Sequence, residues 1–221
     1  MKQNKNRMGI QQIAIIGMFC ALAYASMLLI KIPVQFLDLD VKDSVIILCG
    51  LIFGPASAVA VSIIVPTLQF LTISSTGYYG LIMNVLSSLS FSLVASLIYK
   101  YKKTFRGAIA ALLCGVFSMT AVMMVANLII TPHFMHVPTE TVAKLIPTLL
   151  LPFNLTKAVL NGAIVLLLYK PLSNALKRTG LLGSSSTQSN ENPKKSMNFV
   201  VAALSVVIIA LSLAVIFFVL K

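Results

Sequence analysis

Acidic side chains are scarce in this chain: five Asp and Glu stand against seventeen Lys and Arg in 221 residues. Asp38, Asp40 and Asp43 share one short stretch, and Glu140 and Glu191 also lie outside the long apolar runs. No pair of acids is therefore placed within a run for intramembrane acid–base chemistry. Tryptophan is absent, which leaves Tyr24, Tyr99, Tyr101 and Tyr169 to form any aromatic belt at a membrane interface. Three cysteines, Cys20, Cys49 and Cys114, are odd in number and sit in apolar segments, so no disulfide framework is implied. His133 and His136 occur without Cys-x-x-Cys or His-Glu-x-x-His spacing, so they read as solvated loop residues and no metal site is proposed. A Gly-x-x-x-x-Gly-Lys-Ser/Thr loop is missing too, so the chain lacks the usual cradle for a nucleotide phosphate.

What is present is hydrocarbon. The chain is 58% hydrophobic and only 10% charged, with a mean hydropathy of +0.97. A net charge of +12 would suggest a nucleic-acid partner in a soluble protein. Here the charge sits in loops between apolar runs, where it sets membrane orientation and implies no nucleic acid. The runs cover residues 10–30, 44–53, 56–73, 81–99, 107–130, 145–169 and 198–220. They predict an all-α polytopic membrane protein.

Three units follow: a six-span membrane domain over 1–178, a flexible cytoplasmic linker over 179–197 containing GSSSTQSNENPKK, and a seventh span over 198–221. Residues 31–43 are expected as a polar loop and 74–80 as an uncharged turn. Gly54-Pro55 should turn the chain and Thr131-Pro132 should end the fifth run, with a loop over 131–144. Pro147 and Pro152 should loosen the start of the sixth run. The basic start, apolar centre and Ala23-Tyr24-Ala25 also fit a signal peptide, although an apolar run over 10–30 is long for one.

With the N-terminus inside and the spans alternating, the inner segments hold Lys2, Lys5, Arg7, Lys100, Lys102, Lys103, Arg106, Lys170, Lys177, Arg178, Lys194 and Lys195, twelve of the seventeen basic residues. Such an asymmetry sets the orientation and places the C-terminus outside.

One cation escapes the loops. Lys157 lies inside the sixth run, flanked by Asn154 and Asn161, and the three positions fall within roughly 60° of one another on a helix. A cation at bilayer depth costs a few kcal/mol and by default marks a functional site. The competing reading is that Lys157 snorkels to an interface or satisfies a neighbouring carbonyl. The orientation brings Gln69, Asn84, Asn127, Asn154 and Lys157 from four spans to similar depth beneath the outer surface, with Asp40 and Asp43 in the loop above. A single membrane Asn is ordinarily interhelical glue. Several at one level fit an apolar pocket with a few convergent polar groups. Amides both donate and accept, which suits a neutral heteroaromatic ligand, whereas a strongly anionic one calls for more than one cation. In the first run, Ala14, Gly17, Ala21 and Ala25 share one helix face and allow close approach of another helix, either within this chain or from a partner.

Six spans, an acidic first outer loop, Gly54-Pro55 after a short second span, Ala21-x-x-x-Ala25, and Leu151-Pro152-Phe153-Asn154-Leu155-Thr156-Lys157 together resemble the riboflavin-specific S components, the substrate-binding membrane subunits of energy-coupling factor vitamin transporters. The resemblance covers about residues 8–178, and the LPFN-x-x-K run is its most specific part. It implies a six-helix S-component bundle, here with an additional C-terminal transmembrane helix that the family usually lacks. It also implies a flavin pocket open to the outer side, with Asn127, Asn154 and Lys157 as ligand contacts and Asp43 and Asn84 beside them. Ala21 and Ala25 would dock against a transmembrane coupling subunit, itself carrying two cytoplasmic ATPases. On that resemblance the chain needs no cofactor of its own, and ATP is used by its partners. The seventh span reads as an anchor or a lateral packing element outside the pocket.

Other readings keep the architecture and change the ligand to another vitamin or to FMN or FAD. An intramembrane enzyme or a purely structural membrane protein are the alternatives of another class.

Overall fold

A computed structural model describes residues 9–178 and 195–217. The basic residues Lys2, Lys5, Arg7 and Lys194, and most of the expected linker, lie outside the described residues. The chain begins with helix α1 (Ile10–Leu29), whose Phe19, Ala23 and Met27 are buried in the bundle. The expected polar loop is then a β-hairpin, β1 (Lys31–Val34) and β2 (Leu37–Asp40), paired antiparallel from Lys31↔Asp40 to Val34↔Leu37. Alternation explains the difference: Val34 and Leu39 turn inward and are buried, while Lys31 and Asp38 pair at 3.0 Å on the wetter side. A two-residue turn closes the hairpin with Gln35 at φ 54°, a left-handed position that glycine usually takes.

Helix α2 (Lys42–Phe53) has twelve residues and rises about 18 Å, well short of a hydrocarbon core of about 30 Å. It is apolar on all sides because it is surrounded: Ile46, Ile47, Leu48, Cys49 and Leu51 are all buried. Its shortness has a consequence. The first turn of α2, with Lys42 and Asp43, is sunk among the other helices instead of ending at the surface. At its far end a Cβ on Gly50 would meet Ala58 Cβ at 2.8 Å and Ser96 Cβ at 3.1 Å, so glycine here lets the neighbouring helices close in. Gly54, at φ 97°, then reverses the chain before α3 (Pro55–Thr72), which Pro55 opens in the first-turn position where no N–H is missed.

Helix α4 (Gly77–Tyr101) starts a turn earlier than its apolar run, taking Tyr79 and Gly80 into the helix. Helix α5 (Phe105–Met135) runs through Pro132, which was expected to stop it, and ends at His136 in a left-handed conformation. Proline removes one ladder hydrogen bond, and the extra turn carries Phe134 against Tyr79 at 6.0 Å between ring centroids, edge to face. The expected loop over 131–144 is thus mostly helical, with α6 (Thr139–Leu145) completing it. Residues Ile146–Leu150 form a π-helical stretch that leads into α7 (Leu151–Arg178), so the loosening expected from Pro147 is local.

Helix α8 (Lys195–Val215) packs along α7, and just beyond it Ile216 is 1% exposed in a cluster with Val34, Leu39, Leu149 and Phe153. The chain is therefore an all-α bundle around α2, carrying one hairpin and an additional C-terminal helix. Helices α1, α3, α4, α5 and the continuous stretch Thr139–Asn174 are each long and apolar enough to cross a membrane. Two ends can be told apart. The hairpin, the α3–α4 turn and α6 gather at one, and exposed Lys100, Lys102, Lys103 and Arg106 at the other, where Lys170 lies 4.5 Å over the Phe105 ring.

Candidate functional site

A pocket of about 700 Å3, its opening included, lies at the hairpin end between the hairpin, α4, α5 and α7. Its wall is largely apolar: Phe36, Tyr79, Phe134 and Phe153 supply aromatic faces and Met83 and Met123 adaptable thioethers. Into it come Asn84 from α4, Asn127 from α5, and Asn154 and Lys157 from α7.

The three asparagines are held alike. Each donates from its amide nitrogen to the carbonyl four residues back: Asn84 to Gly80 at 3.0 Å, Asn127 to Met123 at 2.7 Å, and Asn154 to Leu150 at 2.8 Å. One N–H of each is spent in this way, which fixes the amide's orientation and leaves its second N–H uncommitted. The carbonyl oxygens differ. That of Asn84 accepts from Lys42 at 2.9 Å and that of Asn127 from the Thr131 hydroxyl at 2.9 Å, while that of Asn154 takes no donor from the described residues.

Lys157 is 5% exposed and does not snorkel outward. Its ammonium donates to Asp40 Oδ2 at 3.1 Å and to the Asp38 carbonyl at 3.3 Å. The same Asp40 oxygen accepts from Lys42 Nζ at 2.9 Å, so two buried ammonium groups converge on one carboxylate oxygen. Burial alone would push the Asp40 carboxyl up, but Lys157 and then Lys42, by charge and by hydrogen bond, outweigh it and pull it down to about 2. Asp43 Oδ1 lies 4.0 Å from Lys42 and accepts from Ser88 at 2.5 Å. Two cations and two carboxylates balance within one buried cluster.

Four of the residues expected at the pocket, Gln69, Asp40, Asp43 and Asn161, do not line it. Asn161 is spent on architecture: it accepts from the Ser44 backbone N–H at 2.8 Å and donates to the carbonyls of Asp40 and Lys157 at 3.1 and 3.0 Å. It therefore ties α7 to the hairpin and to the first turn of α2, where the Ser44 N–H also reaches the Val41 carbonyl at 3.2 Å. Asp40 stands behind Lys157, and Asp43 faces Ser88 and Lys42. Gln69 is buried on α3, away from the lining. Sequence depth alone could not separate these, because depth says nothing of which way a helix is turned.

Lys42 was missed. It read as a residue of a polar loop, yet it is 0% exposed and holds Asp40 to Asn84. The available signal was the brevity of the apolar run after it. The aromatic wall was missed as well, since Phe36 sits at the tip of a hairpin that was expected as a loop. On α1, Ala14, Gly17, Ala21 and Ala25 all lie on the exposed face, and none of the described residues comes within 4 Å of where a Gly17 Cβ would be.

The family described as "ECF transporter, substrate-specific component" matches residues 11–169. The chain belongs to that family. It is thus a multi-pass membrane protein and the substrate-specific component of an ECF transporter. Among relatives, it is 29% identical over 193 residues to the riboflavin transporter RibU of Staphylococcus aureus (strain TCH60), covering 80% of this chain and 95% of the relative. It is 26% identical over 175 residues to the riboflavin transporter FmnP of Bacillus subtilis (strain 168), covering 73% and 92%. A solved structure described as the S component of a bacterial ECF transporter superposes with a TM-score of 0.64 at 29% identity, covering 75% of this chain and 97% of that one. This S component is longer than the relatives it matches.

Proposed function

We propose that this S component binds riboflavin with high affinity from the outer side of a bacterial cell membrane and passes it inward. Support comes from the two riboflavin-transporting relatives. Above all it comes from the pocket itself, where three pre-oriented carboxamides and one ammonium border an aromatic and thioether wall. A flat tricycle edged with carbonyls and ring nitrogens pairs with free amide N–H groups and stacks on Phe and Tyr faces. In this reading Asn84, Asn127, Asn154 and Lys157 contact the ligand. Asp40, Asp43 and Asn161 hold that set in place, and Gln69 lies apart from it.

The charge balance favours the uncharged vitamin over FMN or FAD. Lys157 at the pocket and Lys42 behind it are already compensated by Asp40 and Asp43, so a phosphate would enter without a spare cation.

The exposed basic residues at the end opposite the pocket support a cytoplasmic position for that end and an outer one for the pocket. Helix α8 then serves as a seventh span and brings the C-terminus outside. The small-residue face of α1 docks on a transmembrane coupling subunit, whose two ATPases supply the work, and the chain itself catalyses no reaction. Quenching of flavin fluorescence by the purified protein in detergent tests the central statement. Saturable quenching below micromolar riboflavin is expected, and none at micromolar ligand would refute it. A competition series with FMN that matched riboflavin would overturn the preference for the uncharged form.

A further inference from the structure

Many hydroxyls on these helices are occupied. Ser26, Ser90 and Ser96 donate to the carbonyl three residues back, and Thr67, Thr72 and Thr120 to the one four back. Ser62 pairs with Ser92, and Ser88 is taken by Asp43. Among the described residues, Ser87 carries the only buried side-chain hydroxyl without a partner, and its side chain is 3% exposed. It also lines the pocket. A buried hydroxyl left unpaired is costly, and one at a ligand site is a place where a ligand atom can supply the missing partner.

Its place in the pocket says what kind of atom would pair with it. Helix α4 runs away from the hairpin end, so Ser87 is the innermost α4 residue in the lining, about one turn below Asn84. Met123 and Lys157 are likewise the innermost lining residues of α5 and α7. The pocket floor is therefore one hydroxyl, one ammonium and one thioether. Lys157 has given two of its three N–H bonds to Asp40 and Asp38, and the third remains. Such a floor offers donors to whatever reaches it.

We propose that Ser87 donates a hydrogen bond to an acceptor atom, a carbonyl oxygen or ring nitrogen, on the innermost edge of a bound heteroaromatic guest. The tricyclic ring of a flavin thus enters acceptor edge first, with its polyol tail toward the hairpin. This rests on the riboflavin reading above.

The test is the Ser87→Ala variant, measured with riboflavin and with a flavin that lacks the polyol tail. The variant weakens riboflavin about 5- to 30-fold, as expected for one lost hydrogen bond in a dry pocket. It weakens the tail-less flavin by the same factor, because the contact is to the ring. Heat stability of the ligand-free protein stays unchanged or rises, since a hydroxyl with no partner has been removed. Riboflavin affinity within twofold of the wild type, a loss confined to the tailed ligand, or a clear fall in ligand-free stability would each overturn the proposal. Failure of the wild type to bind either flavin would instead overturn the riboflavin reading, and this inference with it.

Discussion

Replacing Asp40 by asparagine removes one charge and almost no volume, and it should damage the protein more than any other isosteric change. Asp40 Oδ2 is the shared acceptor of Lys42 at 2.9 Å and Lys157 at 3.1 Å, with the carboxylate 1% and Lys42 0% exposed. In the Asp40→Asn variant the amide oxygen can still accept, but two ammonium groups are left facing a neutral partner. Among the described residues only Asp43, 4.0 Å from Lys42, still compensates either of them. Breaking a buried ion pair from one side costs about 3–5 kcal/mol, because the stranded charge cannot be hydrated. For a chain of this length that corresponds to a fall of roughly 10 °C in the unfolding midpoint.

The assay is thermal unfolding of the ligand-free protein in detergent. A drop of less than about 3 °C would show that water reaches the cluster, and the electrostatic account would be wrong. Adding Lys42→Met to Asp40→Asn should recover part of the loss, with a coupling of about 1 kcal/mol or more. The pH dependence has a definite sign. The Asp40 carboxyl is held at about 2 against an ordinary 3.8, so its stabilisation is complete above about pH 4 and fades as pH falls from there through 2. Wild-type stability should decline over that window, and that of Asp40→Asn should decline less.

The Asn154→Ala/Lys157→Ala double variant should weaken riboflavin binding by several kcal/mol, read by fluorescence titration, and unchanged affinity would remove both residues from the site. Ala21→Trp adds bulk to an exposed face of α1. It should leave binding intact and abolish uptake in cells carrying the whole transporter, whereas loss of both would mean that the face is needed within the bundle. Ile216→Ala empties a buried contact with Val34, Leu39, Leu149 and Phe153, and should lower the midpoint by an amount corresponding to about 2–5 kcal/mol. A midpoint equal to wild type would mean that α8 does not brace the hairpin.

The membrane, the long helices and the family are all legible in the amino-acid order. Those follow from long apolar runs, from basic residues gathered in loops, and from the LPFN-x-x-K stretch, all properties of consecutive residues. It also picked out Asn84, Asn127, Asn154 and Lys157, because a polar side chain in an apolar helix stands out wherever the helix ends up. Only the tertiary structure decided what each polar group is for. Asn161 shares a helical stripe with Lys157 yet is consumed at the start of α2, and Lys42, outwardly a loop residue, is sealed inside because α2 is too short to lift it out. The physical reason is that hydrogen bonds and ion pairs form between segments more than forty residues apart, such as Lys42 with Asn84 and Asp40 with Lys157. Their energy depends on burial and distance, and both exist only once the helices have packed.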